Sequence, residues 1–364
     1  MRIDPILSMA LFYEVIQVAL GLRNKLSRTP LDSEWSEMFV MAQKQAISGL
    51  AFIAIEALSR QGQVPPKNII LEWIGLYEAI RHQNLIVNQR LVDISSLFAK
   101  EGLKICLLKG QGNALMYSDP LSRQSGDIDI WVDATKECVC RLVSKYVGDI
   151  DTDTSIHHIE FPIFDDVEVE IHHIPTYSIV RRKQKALEKY VEDSKLRQFD
   201  NKVNIFNSAI LINIPTVDFN IIYQLSHMQR HFFNGGIGLR HLIDFYFLLK
   251  KAYNHVSLDM IELQLKNLGL FRFTRAIMWL LKETIGIDEK YLIIAPEEKS
   301  GLLLKDEIEK GGNFGKYDQR WSKKIKERST TLSIIARNLK MMWLFPEEAL
   351  SVPINGVMQR FFAK

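Results

Sequence analysis

SGDIDIWV, residues 125–132, sets two aspartates two positions apart among apolar neighbours. The apolar run predicts a strand. A strand alternates its faces, so Asp127 and Asp129 are expected to point the same way. Two like charges side by side repel, and burying them is costly. The arrangement calls for a cation in front of the pair. If that cation is a metal, changing either aspartate to asparagine should leave the metal-free fold as stable as before, or slightly more so.

Outward from this strand the texture stays that of an α/β core. Upstream, LKICLLKG (103–110) is a short continuous apolar run, which suits a buried strand ending at Gly110. QGNALMY (111–117) reads as a brief helix, and SDPLSRQSG (118–126) is turn-rich around Pro120 and Gly126. Downstream, Thr135–Tyr146 reads as a helix. HHIEFPIF (157–164) and VEVEIHH (167–173) make a hairpin with Asp165-Asp166 at its turn. Val167, Val169 and Ile171 then share one face, and Glu168, Glu170 and His172 the other.

The flanks are helical. Ile6–Leu22 is apolar, but Glu14 and Gln17 interrupt it, so it reads as an amphipathic helix packed on protein and not as a membrane span. DSEWSEMFV begins a helical run with an Asp32-Ser33 cap signal. After Pro65-Pro66 a second run spans residues 68–100, with Trp73, Leu76, Ile80 and Leu85 on one recurring face. Beyond Pro175 the pattern is helical to the end, through 181–198, 217–233 and 239–253, with breaks at EKGGNFG and near Pro346 and Pro353. The expected architecture is α+β: a small mixed-sheet core at 101–175 between helical domains at 1–100 and 176–364. The 364 residues are 47% hydrophobic and 24% charged, an ordinary soluble composition. A net charge of +3 is too weak to argue for nucleic acid. Cys106, Cys138 and Cys140 form no CxxC pair, which suits thiols in a reducing compartment. The expected location is cytoplasmic, with no membrane partner.

Carboxylates converging on hard cations are what phosphoryl transfer needs: metal ions bridge the phosphates and stabilise the attacking and leaving oxygens. Asp127 and Asp129 supply part of such a shell for Mg²⁺ or Mn²⁺. A third carboxylate must come from a neighbouring strand, where Glu168 and Glu170 are the candidates. Lys109 and the glycines Gly110 and Gly112 around Gln111 offer a cation and backbone N–H groups to a triphosphate.

This order of motifs resembles the polymerase-beta-type nucleotidyltransferase superfamily. Within it, the chain is similar to a family of uncharacterised bacterial nucleotidyltransferases. The matching residues are Leu108-Lys109-Gly110, Tyr117, Pro120, Arg123, Gly126-Asp127-Ile128-Asp129, His157-His158 and Glu170-Ile171-His172. LRHLIDFYFLL, GGNFG and LFPEEAL extend the resemblance, which covers most of the chain from about residue 100. It implies that Asp127, Asp129 and Glu170 are catalytic metal ligands; Glu168, closer to the Asp165-Asp166 turn, is expected nearer solvent. It also implies that an NTP is bound through Lys109, Gly110, Gln111, Gly112, Arg123 and Gly126, and that an NMP passes to an unidentified acceptor: small molecule, protein or RNA. The superfamily's loop usually reads Gly-Ser or Gly-Gly, whereas Gly110 is followed by Gln111. That departure favours the rival reading, a non-catalytic nucleotide-sensing or partner-binding protein on the same scaffold.

The histidines invite a zinc reading as well. Neighbours in a strand face opposite ways, so neither His157-His158 nor His172-His173 is expected to chelate from one side. A site would need His172 with Glu170 and a histidine of the other strand, and that set lacks a closed four-ligand pattern, so Mg²⁺ is preferred. His158 and His172 are expected to bond carboxylates or touch substrate. His227 and His231 share a helix face four residues apart. Arg240 is either an acceptor contact or the partner of Asp244 at helical spacing. The basic runs RRKQKALEK and KKIKER read as solvated helix faces, since acidic residues lie among them or beside them and no aromatic platform interleaves.

Overall fold

The computed structural model describes residues 5–148, 155–205, 211–320 and 330–352; KKIKER and the break near Pro353 lie outside them. Helices α1 (Pro5–Ala19), α2 (Asp32–Lys44), α3 (Ser48–Ser59) and α4 (Lys67–Lys100) come first. Leu11, Phe12, Val15 and Ile16 of α1 are buried on protein. The cap of α2 differs from expectation. Leu31 holds the cap position, and its N–H donates to the Glu34 carboxylate at 2.7 Å, while Asp32 already lies in the first turn. Along α4, Trp73 and Ile80 are buried as expected, but Leu85 is exposed, because the stripe passes through Asn84 and Val87 instead.

The sheet comprises β1 (Ile105–Leu107), β2 (Ile128–Val132), β3 (His158–Glu160), β4 (Val169–His172), β5 (Lys202–Asn204) and β6 (Leu211–Asn213), in the order β3-β4-β2-β1-β6-β5. Strand β2 runs antiparallel to β1 and parallel to β4, while β3 and β4 form the expected antiparallel hairpin. The last two strands correct a reading of everything beyond Pro175 as helical. They are short, and β6 joins the edge of β1 in parallel. Helices α5 (Gln111–Ala114) and α6 (Lys136–Val147) lie within the core region, the latter capped by Thr135.

Both faces of the sheet are covered. Ile128, Ile130 and Val132 pack with Val87, Leu91, Ile94 and Phe98 of α4 and with Val139 and Val143 of α6. Each such side chain removed from water contributes about 1.5–3 kcal/mol. The alternate residues, Cys106, Leu108 and Trp131, join a larger core that takes in α1–α3 and the later helices. Those are α7 (Gln184–Gln198), α8 (Val217–Asn234), α9 (Leu239–Ala252), α10 (Leu258–Asn267), α11 (Phe271–Leu280), α12 (Glu298–Gly311) and α13 (Thr330–Met341). Trp131 lies against Phe199 and Phe219, with ring centroids 4.8 and 5.9 Å apart. Asp129 shares that face of β2, which turns it toward α8 and away from solvent. Among the described residues no helix is long and apolar enough to cross a membrane.

Candidate active site

Parallel pairing of β2 with β4 sets Asp129 directly beside Glu170 and Trp131 beside His172. Asp129 is 1% exposed. Its carboxylate is bracketed by two partners. His172 Nε2 lies 3.0 Å from Oδ1, and the Lys109 ammonium lies 3.0 Å from Oδ2. The same ammonium is 3.5 Å from Asp127 Oδ2, just before the strand begins. The cation in front of the aspartate pair is therefore Lys109, at the end of β1. Lys109 thus occupies the place in front of the pair where a metal was expected. Burial pulls the Lys109 ammonium down, but Asp129, Asp127 and Glu170 outweigh it and hold its pKa above the ordinary value.

Glu170 is half-buried, and its Oε2 lies 3.4 Å from His172 Nε2 and 3.6 Å from His158 Nδ1. Burial pushes its carboxyl up; His172 and His158 more than compensate, so its pKa is lowered and the group stays ionised. His172 is fully buried, yet its bonds to Asp129 and Glu170 raise its pKa. Glu168 lies one residue outside β4 and is exposed. Asp127, Asp129 and Glu170 are hard oxygen donors on one side of the sheet, and Asp129, Glu170 and His172 bring ligand atoms within 4.8 Å of one another. That donor set fits a divalent cation such as Mg²⁺, provided Lys109 yields its place.

The glycine loop behaves in two ways. Gly110 sits at φ +63°, a conformation open to glycine, and lines a cavity next to Asp127. Gly112 does not line that cavity: its N–H donates to the Lys109 carbonyl, and a side chain there would meet Ile214 and Leu107. Gln111 is also turned away. Its amide donates to Asn84 and Asn88, tying the loop to α4. Side-chain contacts of Gln111 thus serve the fold, and a phosphate contact at this position would fall to the loop backbone.

The cavity lies between this loop and helices α8 and α9, with Lys109, Asp127, Arg123, Arg240, His227 and Phe314 on its wall. Its water-accessible space is about 30 Å³, room for roughly two water molecules. Arg123 is buried and pairs with Asp244 through two bonds of 2.8 Å, Nε to Oδ1 and Nη2 to Oδ2. This corrects the helical-spacing reading of Asp244, whose partner is Arg123 and not Arg240. Tyr117 donates to Asp244 at 2.7 Å and Asn113 at 3.3 Å. Burial pushes the Asp244 carboxyl up, and Arg123 overrides it, so its pKa is lowered. Arg123 Nη1 is left buried without a hydrogen-bond partner. Arg240 donates to the Gln124 carbonyl at 3.0 Å, which aligns it beside Gly126. His227 lines the cavity; His231 lies tilted behind it, ring centroids 4.3 Å apart, and meets Phe314 edge-on. Both imidazoles are pulled well down by burial and stay neutral at pH 7.

Residues 32–286 match the model of a family described as uncharacterised nucleotidyltransferase. The chain belongs to that family. The match begins well before residue 100, so the N-terminal helices α2–α4 are part of the family pattern. It ends before GGNFG and LFPEEAL, which lie outside it. No curated protein and no solved structure matches the chain.

Sequence reasoning singled out neither Asn113, Tyr223, Gln224 nor His241 as site residues, all of which line the cavity. Asn113 and Tyr117 carried a usable signal: a polar residue and a tyrosine one helical turn apart after the glycine loop. His241 and Phe314 carried none, since both reach the site by tertiary packing.

Proposed function

We propose that this protein transfers an NMP from an NTP to an acceptor hydroxyl, with Asp127, Asp129 and Glu170 holding the catalytic cation. The observation that carries the reading is the register that pairs Asp129 with Glu170 beside Lys109, which with Asp127 lines the cavity. Mg²⁺ bound by these carboxylates would neutralise the triphosphate and polarise the phosphoryl group. Lys109 then leaves the aspartates for the phosphates, where Arg240 and the free Nη1 of Arg123 add positive charge. His172 holds Asp129 in one orientation through its Nε2. The acceptor oxygen bonds to the α-phosphorus as the bond to the β-phosphate bridging oxygen breaks, and pyrophosphate leaves. Glu170, ionised and at the edge of the site, takes the acceptor proton.

The test is incubation of the full chain with each α-labelled NTP and Mg²⁺ or Mn²⁺, with and without a bacterial extract as the acceptor source. Pyrophosphate release and labelled product are the readouts. Glu170→Gln should cost at least about 100-fold in rate, and Glu168→Gln little; the reverse order refutes the assignment of the third carboxylate. Metal-dependent NTP binding without turnover would support the rival, a nucleotide sensor, which Gln111 in place of the loop serine favours. Absence of NTP binding removes both.

A further inference from the structure

Beside the carboxylates stands a second group of donors. Adjacent strand residues face opposite ways, but β3 begins only at His158, so His157 is free to turn its ring to the same side. His157, His158 and His172 consequently bring ring nitrogens within 4.8 Å of one another. From these positions we infer that His157, His158, His172 and Glu170 form a binding site for a transition-metal ion of the Zn²⁺ class.

A tetrahedral Zn²⁺ site with bonds of 2.0–2.1 Å separates its ligand atoms by about 3.3–3.4 Å. The donors already stand near those edges. His157 Nε2 is 3.3 Å from His158 Nδ1. His158 Nδ1 is 3.6 Å from Glu170 Oε2, and Glu170 Oε2 is 3.4 Å from His172 Nε2. The other nitrogen of His157 is held by the Ser155 hydroxyl at 2.9 Å, which fixes the ring with Nε2 toward the group. Such an outer bond is what orients metal-ligating histidines. His157 and His172 are buried, so water competes weakly for the ion. Three imidazoles and a carboxylate suit Zn²⁺ far better than Mg²⁺, which prefers oxygen and keeps its waters. Coordination through His172 Nε2 releases Asp129 Oδ1 from its present bond, leaving that oxygen for the neighbouring cation. The inference shares Glu170 and His172 with the nucleotidyl-transfer reading but stands on the grouping of the three imidazoles.

The test uses the full chain, stripped with a chelator and titrated with Co²⁺ and then Zn²⁺, without nucleotide. One equivalent should bind, and Co²⁺ should show the intense visible absorption of a four-coordinate site, discharged by Zn²⁺. His157→Ala and His158→Gln should each weaken Zn²⁺ binding by about 100-fold or more, beyond the 10–100-fold typical of outer-shell changes. Asp127→Asn should keep the Zn²⁺ site while losing Mg²⁺-dependent NTP binding, so the two readings fail separately. His158 is the more exposed ligand and serves if His157→Ala does not fold. No uptake by the unaltered chain, pale octahedral Co²⁺, or unchanged affinity in the His158 variant overturns the inference.

Discussion

Changing Asp129 to asparagine removes one charge from a buried cluster that is already compensated. The Lys109 ammonium and the His172 imidazole each lie 3.0 Å from its oxygens. Without the carboxylate, Lys109 keeps only Asp127, at 3.5 Å, and His172 keeps Glu170. Breaking a buried pair by removing one partner costs roughly 3–5 kcal/mol. Asparagine retains an acceptor and Lys109 is partly solvated, so the lower end, about 3 kcal/mol, applies. Unfolding entropy is about 2.1 cal/mol/K per residue, and over 364 residues that amounts to about 0.76 kcal/mol/K. The melting temperature of the metal-free protein should fall by about 4 °C if it unfolds as one unit. Asp127 is 29% exposed in its side chain and holds only the longer contact. Its asparagine variant should cost less than about 1 kcal/mol, as exposed pairs do, and shift melting by about 1 °C. Calorimetry in chelator at pH 7 decides this. Equal shifts, or a rise for Asp129→Asn, would mean that the two carboxylates repel unrelieved and that Lys109 does not stand between them.

Lys109→Ala should leave three carboxylates without their cation, lowering melting in chelator by several degrees; millimolar Mg²⁺ should restore it, with a larger gain than in the unaltered protein. No response to Mg²⁺ in this variant would remove the metal from the aspartates. Asp244→Asn strands the buried Arg123 and should cost about 3 kcal/mol, which urea unfolding would measure; Arg123→Lys should not rescue function, since lysine cannot reproduce the two-point contact. Glu348 is buried, which pushes its carboxyl up to about 7, with Gln229 donating to it. Because the folded value is raised, its contribution is fully present below pH 4.5 and is lost as pH rises through about 7. That loss is about 3 kcal/mol, and Glu348→Gln, which keeps the acceptor, should flatten stability between pH 5 and pH 8 on a pH series of melts. An unchanged slope would show that Glu348 is solvated.

Local pattern was enough for much of this protein. The period of two in GDIDIWV and VEVEIH identified β2 and β4, and the proline pair and apolar spacing located α4 to within one residue at its start. The same period put Glu170 and His172 on one face, because side-chain direction in a strand is set by backbone geometry alone. Other features needed the fold. Lys109 meets Asp129 only because β1 and β2 are antiparallel neighbours, a pairing no window of sequence contains. Arg123 and Asp244 are 121 residues apart and meet because α9 packs over the core loop. Strands β5 and β6 are three residues each, too short for periodicity to register, and exist by virtue of the edge that β1 offers. His157 turns to the side of His158 because the strand starts one residue later than the alternating pattern requires. Periodicity reports which way a side chain points along its own element; which charges then face each other is decided by the strand order and by the helices laid across it.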